Sequence, residues 1–229
     1  MSLAAEPTRP GKPANAARFW AGFERWNRKL HFYSGLYLLF FMWLFAGSGL
    51  LLNHPKWSFA EYWPNRKETN YVREIIAPPP ELKGDLAQAR EILRQVGIEG
   101  EILWTTTRTD PNLFDFQVRR PGHYIFISAD LLKKRVAVRQ SDVNLWGTIK
   151  VLHAFTGVQM DDPRNTRDWA LTSMWVVSMD CVAGGLIFMV LSSLYMWYKL
   201  PKKRLGGAVA LALGSLICAL FCLGLRWLY

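Results

Sequence analysis

Twenty-four consecutive residues, Leu30 to Asn53, carry no Asp, Glu, Lys or Arg. A helix needs about 20 mostly apolar residues to cross the hydrocarbon core of a bilayer, at about 1.5 Å of rise each. Two further blocks meet the same condition. Trp169 to Tyr198 is interrupted only by Asp180, and Leu205 to Leu225 is uninterrupted. These lengths constrain the fold more than any motif, because backbone in lipid must satisfy its own hydrogen bonds. The expected fold class is therefore a membrane α-helical protein with three transmembrane helices and the lipid bilayer as its first partner.

The charge pattern orients the spans. Residues 1–29 carry six basic side chains against two acidic ones, and 199–204 carries four basic and none acidic. Residues 55–168 hold seventeen basic and fifteen acidic residues. Basic loops stay in the cytoplasm. The expectation is a bacterial inner membrane protein with a cytoplasmic N-terminus (1–29), a span at 30–54 and a periplasmic segment at 55–168. A second span at 169–198, a cytoplasmic loop at 199–204, a third span at 205–225 and a periplasmic C-terminus (226–229) follow. Trp26, Trp57, Trp169, Trp197 and Trp227 fall at the span ends, as interfacial tryptophans do. Topology accounts for most of the net charge of +10, so nucleic acid is not an expected partner.

All three cysteines, Cys181, Cys218 and Cys222, lie in or beside the spans, so no disulfide framework supports the exported segment. Residues 55–80 read as an irregular or extended linker rich in proline. Leu86, Ala89, Leu93 and Val96 have helical spacing over Asp85–Val96, with Asp85 as cap and Gly97 as stop. Four strands are expected at Glu101–Thr107, Asn112–Arg119, His123–Ser128 and Lys134–Gln140, with turns at Asp110-Pro111-Asn112 and Pro121-Gly122. Residues 55–141 are thus a linker plus a small α+β module. A surface helix is expected over 142–156, capped by Ser141, within an interfacial segment 142–168.

Short stretches resemble the PepSY-associated transmembrane family. Arg28-Lys29-Leu30-His31 with Ser34-Gly35-Leu36 resembles the entry to that family's first span, and Gly49-Leu50-Leu51-Leu52-Asn53-His54 its exit. Leu152-His153-Ala154-Phe155-Thr156-Gly157 is similar to the motif before the second span, and Leu191 to Trp197 to that span's exit. Ser193 stands where the family carries glycine. The resemblance implies that 82–140 is a PepSY-like module. It also implies kinship with haem-containing reductases of ferric siderophores.

Chemistry then centres on histidine, the commonest haem ligand. His31 and His54 bracket the first span, about 34 Å apart along a continuous helix, so they cannot hold one haem within a subunit. His54 and His153 share the outer depth and form the feasible intrachain pair of axial ligands for haem b. Gly47 and Gly49 lie about one turn below His54, where they would admit a porphyrin face. His31 is a candidate ligand of a second haem, with Met196, another subunit of a homo-oligomer, or nothing as its partner. His123 reads as an exposed turn residue. Asp180 reads as a headgroup-level carboxylate, and Asp161, Asp162 and Asp168 could form an acidic metal site with it. Gly206, Ala210, Gly214, Cys218 and Cys222 form a small-residue stripe suited to helix packing.

No nucleotide, hydrolase or zinc motif occurs, and the chain has no room for a flavin domain. Two functions remain open. One is haem b electron transfer that assists reduction of periplasmic iron complexes such as an iron-siderophore, using an external electron donor. The other is a non-catalytic membrane interaction protein that binds a peptide or partner through its module.

Overall fold

The computed structural model describes residues 14–79, 81–103, 110, 112–157 and 166–227. Residues 104–107 of the first expected strand, Pro80, Pro111, Asp161 and Asp162 lie outside them. Three helices are long and apolar enough to cross a membrane. They are α1 (Ala14–Asn53), α4 (Ala170–Tyr198) and α5 (Arg204–Trp227). Helix α1 begins well before Leu30, the first residue of the uncharged run. Hydropathy marks the limit of the apolar run, but the backbone hydrogen bonds continue through the charged turns of Glu24, Arg25 and Arg28. The chain divides into two units, Met1–Leu39 with Val182–Tyr229, and Phe40–Cys181.

In the first unit α1 and α4 run antiparallel. Phe23 meets Tyr195 edge-on at 5.2 Å, Ser192 Oγ donates to Asn27 Oδ1 at 3.0 Å, and Leu38 packs on Gly185. Asn27, Leu38, Val182 and Ser192 are buried along this seam. Helix α5 buries none of its side chains in this chain. Gly206 and Gly214 of the expected packing stripe meet nothing within 4 Å. The close approach is made one position further on, where Gly207 lies against the Trp197 indole.

The second unit contains an antiparallel sheet ordered β1-β5-β4-β3-β2. Its strands are β1 (Lys67–Glu74), β2 (Glu101–Leu103), β3 (Leu113–Arg120), β4 (His123–Asp130) and β5 (Arg135–Asp142). Alternation places Phe114, Phe116 and Val118 of β3 and Ile125, Ile127 and Ala129 of β4 on one face. Helix α2 (Asp85–Val96) covers that face with Ala89, Ile92, Leu93 and Val96 to form the core. It ends at Gly97, whose φ of 71° is the left-handed conformation that glycine adopts without strain.

Strand β1 is the extended part of the stretch 55–80, expected to be irregular or extended. It is an edge strand with seven exposed positions and one half-buried, Tyr71, so no apolar alternation announces it. The surface helix is also shorter than expected. Helix α3 spans Leu145–His153 because β5 runs on to Asp142, and Asn144, not Ser141, caps it, its side chain accepting from the Gly147 N–H at 3.0 Å. Helix α3 covers one end of the sheet face opposite α2, with the Thr148 side chain against Gly122 of the β3–β4 turn. A Cβ on Gly122 would come within 2.8 Å of Thr148 Oγ1, and its φ of 87° also favours glycine.

Candidate functional site

The last turn of α3 brings His153 onto α1. Its Nδ1 lies 2.7 Å from Ser48 Oγ, and its ring meets Phe45 edge-on at 5.4 Å. Gly49 accommodates the ring, since a Cβ there would sit 3.4 Å from His153 Cε1. Ser48 donates its single hydroxyl hydrogen to the Phe45 carbonyl at 3.1 Å. With that hydrogen on Phe45, the Ser48 oxygen can accept from the tautomer of His153 that carries its hydrogen on Nδ1, and that tautomer presents its lone pair on Nε2. A histidine that ligates a metal is held in this way, with one ring nitrogen donating to a fixed acceptor and the other presented. Among the described residues Nε2 has no hydrogen-bond partner. Ser48 is 1% exposed and was not singled out in the sequence. Its only signal there is a hydroxyl between two glycines in an apolar run.

His54 occupies a different environment. Its N–H still bonds back to the Leu50 carbonyl at 3.2 Å, and its ring then stacks on Trp57 at 4.4 Å and 8°. Trp57 stacks on Phe59, which meets Trp146 of α3. His54 and His153 make no contact with each other, each ring resting on its own partners. Of the two glycines expected to admit a porphyrin, Gly49 is taken up by the His153 ring, while Gly47 has open space beside it.

His31 belongs to the first unit. Its Nδ1 is buried and has no hydrogen-bond partner among the described residues. The antiparallel register of Asn27 with Ser192 and Phe23 with Tyr195 puts Met196 about two turns from the level of His31. The nearer methionine is Met189, whose Cε packs on Gly35, one turn along α1 from His31.

His123 differs from the exposed turn residue expected. It opens β4 opposite Asp142, is half-buried, and holds Asp142 Oδ1 at 2.6 Å. Burial raises the Asp142 carboxyl, but the hydrogen bonds from His123 and Gln140 outweigh it and leave the group below the ordinary range.

Glu101 is a buried glutamate that sequence reading passed over. It is 0% exposed, on β2, and receives the backbone N–H of Asp168 at 2.9 Å and of Trp169 at 3.4 Å, just ahead of α4. Arg90 of α2 binds the Asp168 carboxylate through two nitrogens and reaches to 4.0 Å from Glu101. Burial is the main cause that lifts the Glu101 carboxyl above its ordinary range, with the Asp168 carboxylate adding to it. Burial also pushes Asp168 upward, but the Arg90 hydrogen bonds prevail and hold it low. Asp168 is thus committed to Arg90, and Asp180 lies exposed on α4. Cys181, Cys218 and Cys222 are free and exposed. Among the described residues no three His, Cys, Asp or Glu side chains gather as a metal site would need.

The donor set suits a haem on one side. His153 Nε2 has no hydrogen-bond partner among the described residues, whereas the His54 ring stacks on Trp57. No protein-family model, curated protein or solved structure matches this chain.

Proposed function

We propose that this is an inner-membrane protein of the PepSY-associated type that binds haem b and assists reduction of periplasmic iron complexes. The supporting observation is His153, whose Nδ1 lies 2.7 Å from the hydroxyl of the buried Ser48, which also reaches the Phe45 carbonyl. Haem b, when bound, supplies a one-electron Fe(III)/Fe(II) couple. His153 Nε2 would hold the iron, Ser48 would fix the ring and its tautomer, and Gly49 gives the imidazole its place on α1. His54 is the second candidate ligand, and His31, with its buried Nδ1, is the candidate for a second haem. The reading calls for an external electron donor. The basic segments before Leu30 and after Tyr198 support an orientation with residues 55–168 and the C-terminus in the periplasm.

Absorption spectroscopy of the detergent-purified protein from haem-replete cells tests the reading. A Soret band and a sharp reduced α-band are expected, lost in His153→Ala, shifted in Ser48→Ala and unchanged in His123→Ala. A colourless preparation would sink it.

A second reading, a module that binds a peptide or partner, is favoured by a separate feature. The sheet face away from α2 carries a trough of about 700 Å³ over Val72, Phe126 and Arg139. Val72 is 65% and Phe126 47% exposed there. A colourless protein that still binds a peptide, with the binding lost in Phe126→Asp, would favour this reading.

A further inference from the structure

Beneath the end of the sheet covered by α3 lies a second, smaller cavity of about 220 Å³. Its walls include Arg119 of β3, Tyr124 of β4, and Lys150, Val151 and Ala154 of α3. Lys150 is only 7% exposed, and a buried ammonium is costly unless its charge is matched. Its Nζ donates to the Ala60 carbonyl at 2.9 Å and sits over the Tyr62 ring at 5.2 Å. Neither partner carries a full negative charge. Arg119 has the same deficit. Its guanidinium lies over the Tyr124 ring at 5.9 Å and forms no ion pair among the described residues.

The natural counter-charge is spent elsewhere. Glu101 is the cross-strand neighbour of Arg119. Its carboxylate is nevertheless directed to the backbone N–H groups of Asp168 and Trp169. Among the described residues no acidic side chain lines the cavity, which leaves two cations, a buried phenol and apolar walls around one space. Burial raises the Tyr124 phenol above its ordinary range, so it stays a neutral hydroxyl able to donate. Two cations without an ion-pair partner among the described residues and a neutral hydroxyl in the walls of one partly enclosed pocket are the donor set of an oxyanion site.

We infer that the cavity between β3, β4 and α3 binds a phosphate-class oxyanion through Lys150, Arg119 and the Tyr124 hydroxyl. The inference does not depend on haem. The oxyanion is either a soluble phosphate compound or the headgroup of an anionic lipid, the chemistry being the same.

The full-length protein in phosphatidylcholine nanodiscs is titrated with inorganic phosphate, and binding is read from ³¹P line broadening. Saturable binding is expected, about tenfold weaker in Arg119→Gln and in Lys150→Met, and unchanged in the exposed control Arg135→Gln. Among the described residues Arg119 makes no side-chain hydrogen bond whose loss would unfold the module, so Arg119→Gln decides the matter if Lys150→Met fails to fold. Replacing the lipid by phosphatidylglycerol separates the two sources. Suppressed phosphate binding identifies the lipid headgroup, and unchanged binding identifies a soluble ligand. Absence of saturable broadening in the unaltered protein, or equal binding in Arg119→Gln, overturns the inference.

Discussion

Glu101 accepts the backbone N–H of Asp168 at 2.9 Å across 67 residues of sequence, joining the β2 edge of the sheet to the approach to α4. The contact places two carboxylates together and shifts them in opposite directions. Burial raises the Glu101 carboxyl, while the Arg90 hydrogen bonds hold Asp168 low against burial. Because the folded state binds the Glu101 proton more tightly than the unfolded chain does, stability falls as pH rises from about 4.3 through the raised value. Asp168 works the other way. Its contribution is complete above about 3.9 and is lost as pH falls through the lowered value. Glu101→Gln removes the first dependence and leaves the second. The melting temperature of the variant relative to the unaltered protein should therefore climb as pH rises above about 4.3. A relative melting temperature that falls over that range would show Glu101 to be a stabilising anion.

The Ser48–His153 bond predicts a single imidazole tautomer. In ¹⁵N spectra of histidine-labelled protein without added haem, His153 should show a protonated Nδ1 and an unprotonated Nε2. Ser48→Ala should release the tautomer and cost about 1 kcal/mol of stability. An Nε2-protonated His153 in the unaltered protein would remove the basis for its ligand role.

How much of this was legible in the sequence depends on how local each signal is. Helix α2 was readable because Leu86, Ala89, Leu93 and Val96 repeat on one face and Gly97 supplies the left-handed end. The three apolar helices were readable because length alone decides them. Strand β1 was not, since an edge strand exposed at seven of its eight positions has no alternation to read. Glu101 and Ser48 were invisible for a different reason. Their partners lie 67 and 105 residues away, and nothing local marks a glutamate or a serine as buried. The histidines were readable as chemically interesting, but their partners were not. Trp57 holds His54, Asp142 holds His123, and Ser48 holds His153.

Ser192 and Asn27 give a test of the α1–α4 seam. Both are buried, and the bond between them is 3.0 Å. The Asn27 Nδ2 has no partner among the described residues, so one bond carries the polar part of this contact. A double-mutant cycle with Asn27→Ala and Ser192→Ala, followed by unfolding in mixed detergent, should give a coupling energy of about 0.6 kcal/mol. A coupling energy of zero would mean the pair is only in proximity.

Two adjacent glycines separate backbone propensity from packing at the start of α5. Each lies inside a helix, where alanine is favoured over glycine by about 1 kcal/mol when nothing interferes. Gly206 has open space around it, so Gly206→Ala should be neutral or stabilising. A Cβ on Gly207 would overlap the Trp197 indole, which is held by the backbone of α4 and cannot yield as the end of a flexible chain would. Gly207→Ala should therefore displace the start of α5, lower the melting temperature and shift the tryptophan emission. Trp197→Ala should relieve the Gly207→Ala penalty in the double variant, because the obstructing ring is gone. Equal stability of the two single alanine variants would show that α5 does not approach α4 at this position.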